Sequence, residues 1–124
     1  MRLAALLLAG ALGLTACAPK PPPPPPPRLS FDCARGFEAL DAAIRAEPGL
    51  KLAPAPGEPY RYYSSEDGGV SYVVTERGAP AHPAAFKQIA TPHGTDTIGC
   101  PYGDRPSYDR FVTYLKDLAK ARRG

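Results

Sequence analysis

The chain has no tryptophan, a single methionine, two histidines and three cysteines in 124 residues, and its longest apolar run, Leu3 to Leu14, is short of what a bilayer requires. A membrane-spanning helix needs about 20 consecutive apolar residues, so that run reads as something other than a span. Cysteine and histidine never occur in close ligand pairs: Cys33, His82, His93 and Cys100 are zinc-ligand types, but they lack the paired spacing of zinc modules. No metal and no cofactor is implied. An excess of one charge is also missing where it would matter. The formal charge of +3 includes Arg2, Lys20 and Arg28, and from Leu29 onward twelve basic residues face twelve acidic ones. Phosphate-backbone binding needs a concentrated basic surface, so nucleic acid is not an expected partner. The local exception, Lys116, Lys120, Arg122 and Arg123, suits a helix C-terminus with no ligand present.

What is present begins with an address. Met1 and Arg2, the apolar run, and small residues ahead of Cys17 have the layout of an export signal. The sequence Leu14-Thr15-Ala16-Cys17 resembles the lipobox of bacterial lipoproteins. The resemblance implies that residues 1–16 are a signal peptide, that Cys17 is acylated and becomes the first mature residue, and that the acyl chains anchor the protein to a membrane without spanning it. Ala18 after the cysteine resembles the class sorted to the outer membrane, facing the periplasm. Pro19 and the seven prolines Pro21–Pro27 follow, bracketed by Lys20 and Arg28. Proline fixes φ and lacks an amide donor, so residues 17–28 read as a polyproline II spacer of roughly 35 Å. Such a tract can also dock into an aromatic groove.

Residues 29–124 read as one small domain with a core limited by its surface-to-volume ratio. Cys33 and Cys100 are an even pair in an exported chain and are expected to form a disulfide worth about 4 kcal/mol. Cys33, Phe37, Leu40 and Ile44 recur at helical spacing from Asp32 to Glu47, with Ser30 or Asp32 as cap and Pro48-Gly49 as stop. Tyr60–Ser64 and Val70–Glu76 alternate as strands around a Glu66-Asp67-Gly68-Gly69 turn, with weaker strand signals at Phe86–Thr91 and Thr97–Cys100. Tyr108, Phe111, Val112, Leu115, Leu118 and Ala119 form one face of a second helix, introduced by Pro106 and capped by Ser107. The expected class is α+β: N- and C-terminal helices packed on one face of a three- to four-stranded, mainly antiparallel sheet, with Val70, Tyr72 and Val74 beneath them.

Two constellations bear on function. Asp32-Cys33-Ala34-Arg35-Gly36-Phe37 resembles the Asp-Cys-Ser-Gly-hydrophobe motif of NlpC-type cell-wall cysteine peptidases, with His82 and His93 downstream at similar spacing. That resemblance would make Cys33 the nucleophile, His82 the base and His93 its orienting partner. Ala34-Arg35 stands where that family has serine, and its Pro-Gly-Asp and His-Val-Gly segments are absent. The second is a recognition surface. Gly78-Ala79-Pro80-Ala81-His82-Pro83-Ala84, which resembles a loop of small envelope lipoproteins, displays His82 between prolines. Strand alternation sets Arg61 and Tyr63 apart from Tyr60 and Tyr62, so Arg61, Tyr63, Val73 and Thr75 could meet a partner. The competing reading is cross-strand pairing within the sheet. The expectation is a lipid-anchored accessory of the bacterial envelope, without catalytic residues, whose partners are the membrane through its anchor and an envelope protein or peptidoglycan.

Overall fold

The computed structural model describes residues 29–122; the leader, Cys17 and the proline run lie outside the described residues. A 3-10 turn, Cys33–Arg35, comes first, with the Asp32 carboxylate accepting from the Ala34 amide at 2.9 Å. Gly36, at φ +82°, redirects the chain into α1 (Phe37–Ala46). The first helix thus begins four residues later than its apolar spacing suggests, because a left-handed glycine interrupts the run. It ends at Glu47, held extended by the proline that follows. Five strands come next: β1 (Leu50–Ala53), β2 (Tyr60–Ser65), β3 (Val70–Thr75), β4 (Ala84–Thr91) and β5 (Gly94–Pro101). Then comes α2 (Arg105–Ala121), whose N-cap is Asp104 rather than Ser107: its carboxylate accepts from the Ser107 amide at 3.0 Å and hydroxyl at 2.6 Å. No helix among the described residues is long and apolar enough to cross a membrane.

The sheet is an antiparallel meander in the order β1-β2-β3-β4-β5 between two terminal helices, an α+β domain. It has one strand more than expected: β1, four residues between Gly49 and Pro54, pairs Leu50 with Ser65 and Ala53 with Tyr62.

The two helices occupy opposite faces of the sheet. Leu40 and Ile44 of α1 are fully buried against Tyr63, Tyr72, Val74, Ala85 and Cys100. Tyr108 and Leu115 of α2 pack with Val73, Ala84 and Phe86, flanked by Tyr60, Tyr62, Phe111 and Val112. The expectation of both helices on one face is therefore corrected. β3 is apolar on both sides, with Tyr72 and Val74 meeting α1 and Val73 meeting α2, and a strand buried on both faces needs a cover on each. On the α2 side Phe86 and Tyr108 stack at 5.1 Å, a fit that requires Gly99. A Cβ there would stand 2.5 Å from Tyr108 Oη and 2.9 Å from Phe86 Cδ1.

The Cys33–Cys100 disulfide is present, with Cα atoms 5.3 Å apart across a separation of 67 residues. It fastens the first turn of the domain to β5, and Tyr102 Oη donates to the Cys33 carbonyl at 3.0 Å beside it.

Candidate functional site: a charged groove beside the first helix

Arg61 sits opposite Val74 in the β2–β3 ladder, on the face covered by α1. A guanidinium placed under a helix must be paired, because an uncompensated charge at such a site is costly. Its Nη1 donates to Asp41 Oδ1 and to Tyr63 Oη, each at 2.8 Å, and its Nε donates to Glu76 Oε1 at 2.9 Å. Arg45, one turn beyond Asp41, adds a further contact to the same carboxylate oxygen at 3.2 Å. Burial alone would raise the Asp41 carboxyl; the hydrogen bonds and charges of Arg61 and Arg45 outweigh it and hold the group below its ordinary value. Burial would likewise weaken the charge on Arg61, and Asp41 and Tyr63 more than restore it.

His82 reaches the same place from the β3–β4 loop. Two successive turns, closed by Ala79 N–H to the Glu76 carbonyl and His82 N–H to the Ala79 carbonyl, lead to a cis His82-Pro83 bond. The fully buried Thr75 hydroxyl is the fixed point: it donates to the Ala84 carbonyl at 3.0 Å, accepts from the Ala84 amide at 2.9 Å and lies 2.9 Å from His82 Nδ1. The contact between the hydroxyl and Nδ1 holds the imidazole in place against the start of β4. The Phe37 ring meets the imidazole edge-on at 5.3 Å and 84°.

Together these residues line an open groove of about 680 Å³ between α1 and the β2–β3 end of the sheet. Phe37 and Pro83 form an apolar base, exposed Glu38, Arg45 and Arg77 bring both signs of charge, and His82 adds an imidazole ring. Such a lining suits a peptide-like ligand with apolar and charged parts.

Of the three recognition candidates, Arg61 and His82 do share this groove, and Tyr63 lies behind Arg61 as its hydrogen-bond partner. The exposed Arg61–Tyr63–Val73–Thr75 surface is not found: Tyr63 is 7% exposed under α1, Val73 faces α2, and Thr75 is sealed. Cross-strand pairing takes its place, Tyr63 opposite Tyr72 and Tyr62 opposite Val73. The peptidase constellation is not assembled either. Cys33 Sγ is bonded to Cys100, and His93 lies past the far end of β4, a strand of roughly 25 Å at about 3.4 Å per residue, from His82. The four-residue metal set fails for the same reasons, and among the described residues no group of three or more His, Cys, Asp or Glu could hold a metal ion. Sequence reasoning missed Asp41 and Glu76, and it put Thr75 on an exposed surface where the structure buries it. An arginine inside a strand is the signal for the first two, since it demands carboxylate partners on whatever covers it.

In comparisons with known proteins, no family model, no curated protein and no solved structure matches this chain.

Proposed function

We propose that the protein is a lipid-anchored accessory of the bacterial envelope: acylated at Cys17, held off the membrane by the proline run, and binding an envelope protein or peptidoglycan through the groove beside α1. One observation carries the reading. The disulfide takes up both cysteines of the domain and leaves Cys17, in its Leu-Thr-Ala-Cys setting, as the remaining thiol of the chain. A disulfide also suits an exported protein, because thiols stay reduced in the cytosol. The peptide side chains of peptidoglycan and the side chains of a protein partner share the mixed apolar and charged chemistry that the groove offers. A cysteine-peptidase reading would need Cys33 as a thiolate, and its sulfur is bonded to Cys100.

Non-reducing mass spectrometry of the membrane-extracted protein tests the anchor, and the expected mature chain starts at an acylated Cys17 with Cys33 linked to Cys100. An unmodified N-terminus or an alkylatable Cys33 would overturn it. Cross-linking in cells tests the groove: His82→Ala with Arg77→Ala should lose the partner cross-linked by the wild type, and unchanged products would refute the assignment.

A further inference from the structure

On the opposite side of the sheet a second surface has a different chemistry. Tyr60 and Tyr62 project from β2 toward α2, where Phe111 stacks on Tyr60 at 4.8 Å and 9°, and Tyr114 extends the row with its ring 5.7 Å from Phe111. Tyr114 is 55% exposed, and Pro80 and Arg110 complete the walls of a shallow cleft of about 180 Å³. The cleft offers aromatic faces flanked by hydroxyl and guanidinium donors.

We propose that this cleft binds the proline run Pro21–Pro27 of a neighbouring copy of the chain. A run of prolines has no backbone N–H, so it presents carbonyl acceptors and flat pyrrolidine rings, the complement of donors set among aromatic faces. Polyproline II is already extended before it binds, so little order is lost on docking. The charges agree: the run is bracketed by Lys20 and Arg28, while Glu58 lies beside Tyr60 and Tyr62, and Asp117 follows Tyr114 by three residues on α2, on the same side of the helix. The neighbouring copy follows from the entry point. Leu29, where the run joins the domain, packs with the α1-side cluster, whereas the cleft is on the α2 side. Seven prolines would span about 22 Å as polyproline II, at roughly 3.1 Å per residue, and in that form would have to reverse around the sheet within Arg28–Ser30 to reach their own cleft. The proposal is independent of lipidation and of the groove beside α1.

The test uses residues 17–124 carrying Cys17→Ser, with Pro21–Pro27 replaced by a Gly/Ser stretch of equal length so that no internal run competes. A synthetic peptide of residues 18–30 is titrated in and read by NMR of the aromatic rings. Saturable shifts by about 1 mM peptide, centred on Tyr60, Phe111 and Tyr114, are expected. A Gly/Ser version of the peptide, and a Tyr114→Ser receptor with an otherwise unchanged amide spectrum, should each bind at least tenfold more weakly. In sedimentation, the chain with its own proline run should show concentration-dependent association that Tyr114→Ser abolishes. Absent shifts, shifts centred elsewhere, or equal binding of the Gly/Ser peptide would overturn the proposal. Binding only of an unrelated proline-rich peptide would overturn the choice of occupant and point to another protein's segment.

Discussion

Reducing the Cys33–Cys100 bond removes a constraint on the unfolded chain while leaving both sulfurs near where they are. With the two half-cystines 67 positions apart, chain-entropy reasoning gives about 4.4 kcal/mol of stabilisation at 25 °C. For a domain of about 94 residues, 1 kcal/mol corresponds to roughly 5 °C in Tm, so reduction should lower Tm by around 20 °C. The measurement is a pair of thermal melts followed by far-UV circular dichroism on a Cys17→Ser chain, with and without a phosphine reductant and without alkylation. Alkylation would confound it, because Cys100 is fully buried and a blocking group would force the core apart. Cys33→Ala should reproduce the loss seen on reduction. Cys100→Ala should cost about 1 kcal/mol more, since it also removes a buried sulfur from the α1-side core. A shift on reduction below about 5 °C would refute the reasoning, because the cross-link would then leave the unfolded ensemble nearly as it found it.

Gly99→Ala drives a methyl against the buried Phe86 ring and the Ala85 carbonyl and should destabilise by about 1–3 kcal/mol in urea titrations; a neutral result would mean the β5–α2 packing is looser than described. Thr75→Val keeps the shape but strips the Ala84 amide and carbonyl and the His82 ring of their shared partner. A loss of about 1–3 kcal/mol is expected, together with a changed His82 ring nitrogen pattern in NMR, and an unchanged ring spectrum would contradict the Thr75–His82 hydrogen bond. Asp41 gives a pH signature. Its folded carboxyl is held below the ordinary 3.8, so its contribution is present above that value and is lost as the pH falls through the lower folded one. Stability should therefore drop more steeply below about pH 4 in the wild type than in Asp41→Asn, and parallel acid profiles would remove Arg61 and Arg45 from the account.

Both helices and the β2–β3 hairpin were legible because their apolar spacing is strong and their stops are proline or glycine. β1 was not: four residues, Leu-Lys-Leu-Ala, flanked by Gly49 and Pro54, carry too little alternation to stand out from a loop. β4 begins at Ala84, two residues before its aromatic signal, because alanine has little strand preference and enters through pairing with Pro101 and Cys100. The placement of the helices on opposite faces was visible only in hindsight of Val73, an apolar residue on the side of β3 assigned to solvent. At the groove, His82 was singled out by its prolines. Thr75 was named only as part of an exposed surface, because its buried role depends on where β4 starts.

The position of the disulfide sets how a pull on the domain is shared. Force arriving through the N-terminal segment enters at residues 29–32 and, at Cys33, divides between the backbone leading to α1 and the covalent bond to β5. β5 is joined along its length to β4, from Ala84–Pro101 to Thr91–Gly94, so traction is spread over a full strand ladder instead of peeling one turn at a time. The segment between Cys33 and Cys100 is short-circuited: α1 and the groove beside it lie inside a covalent loop that traction cannot lengthen. Anything bound there would feel a pull on the N-terminal segment as a displacement of the whole domain, with the groove keeping its shape.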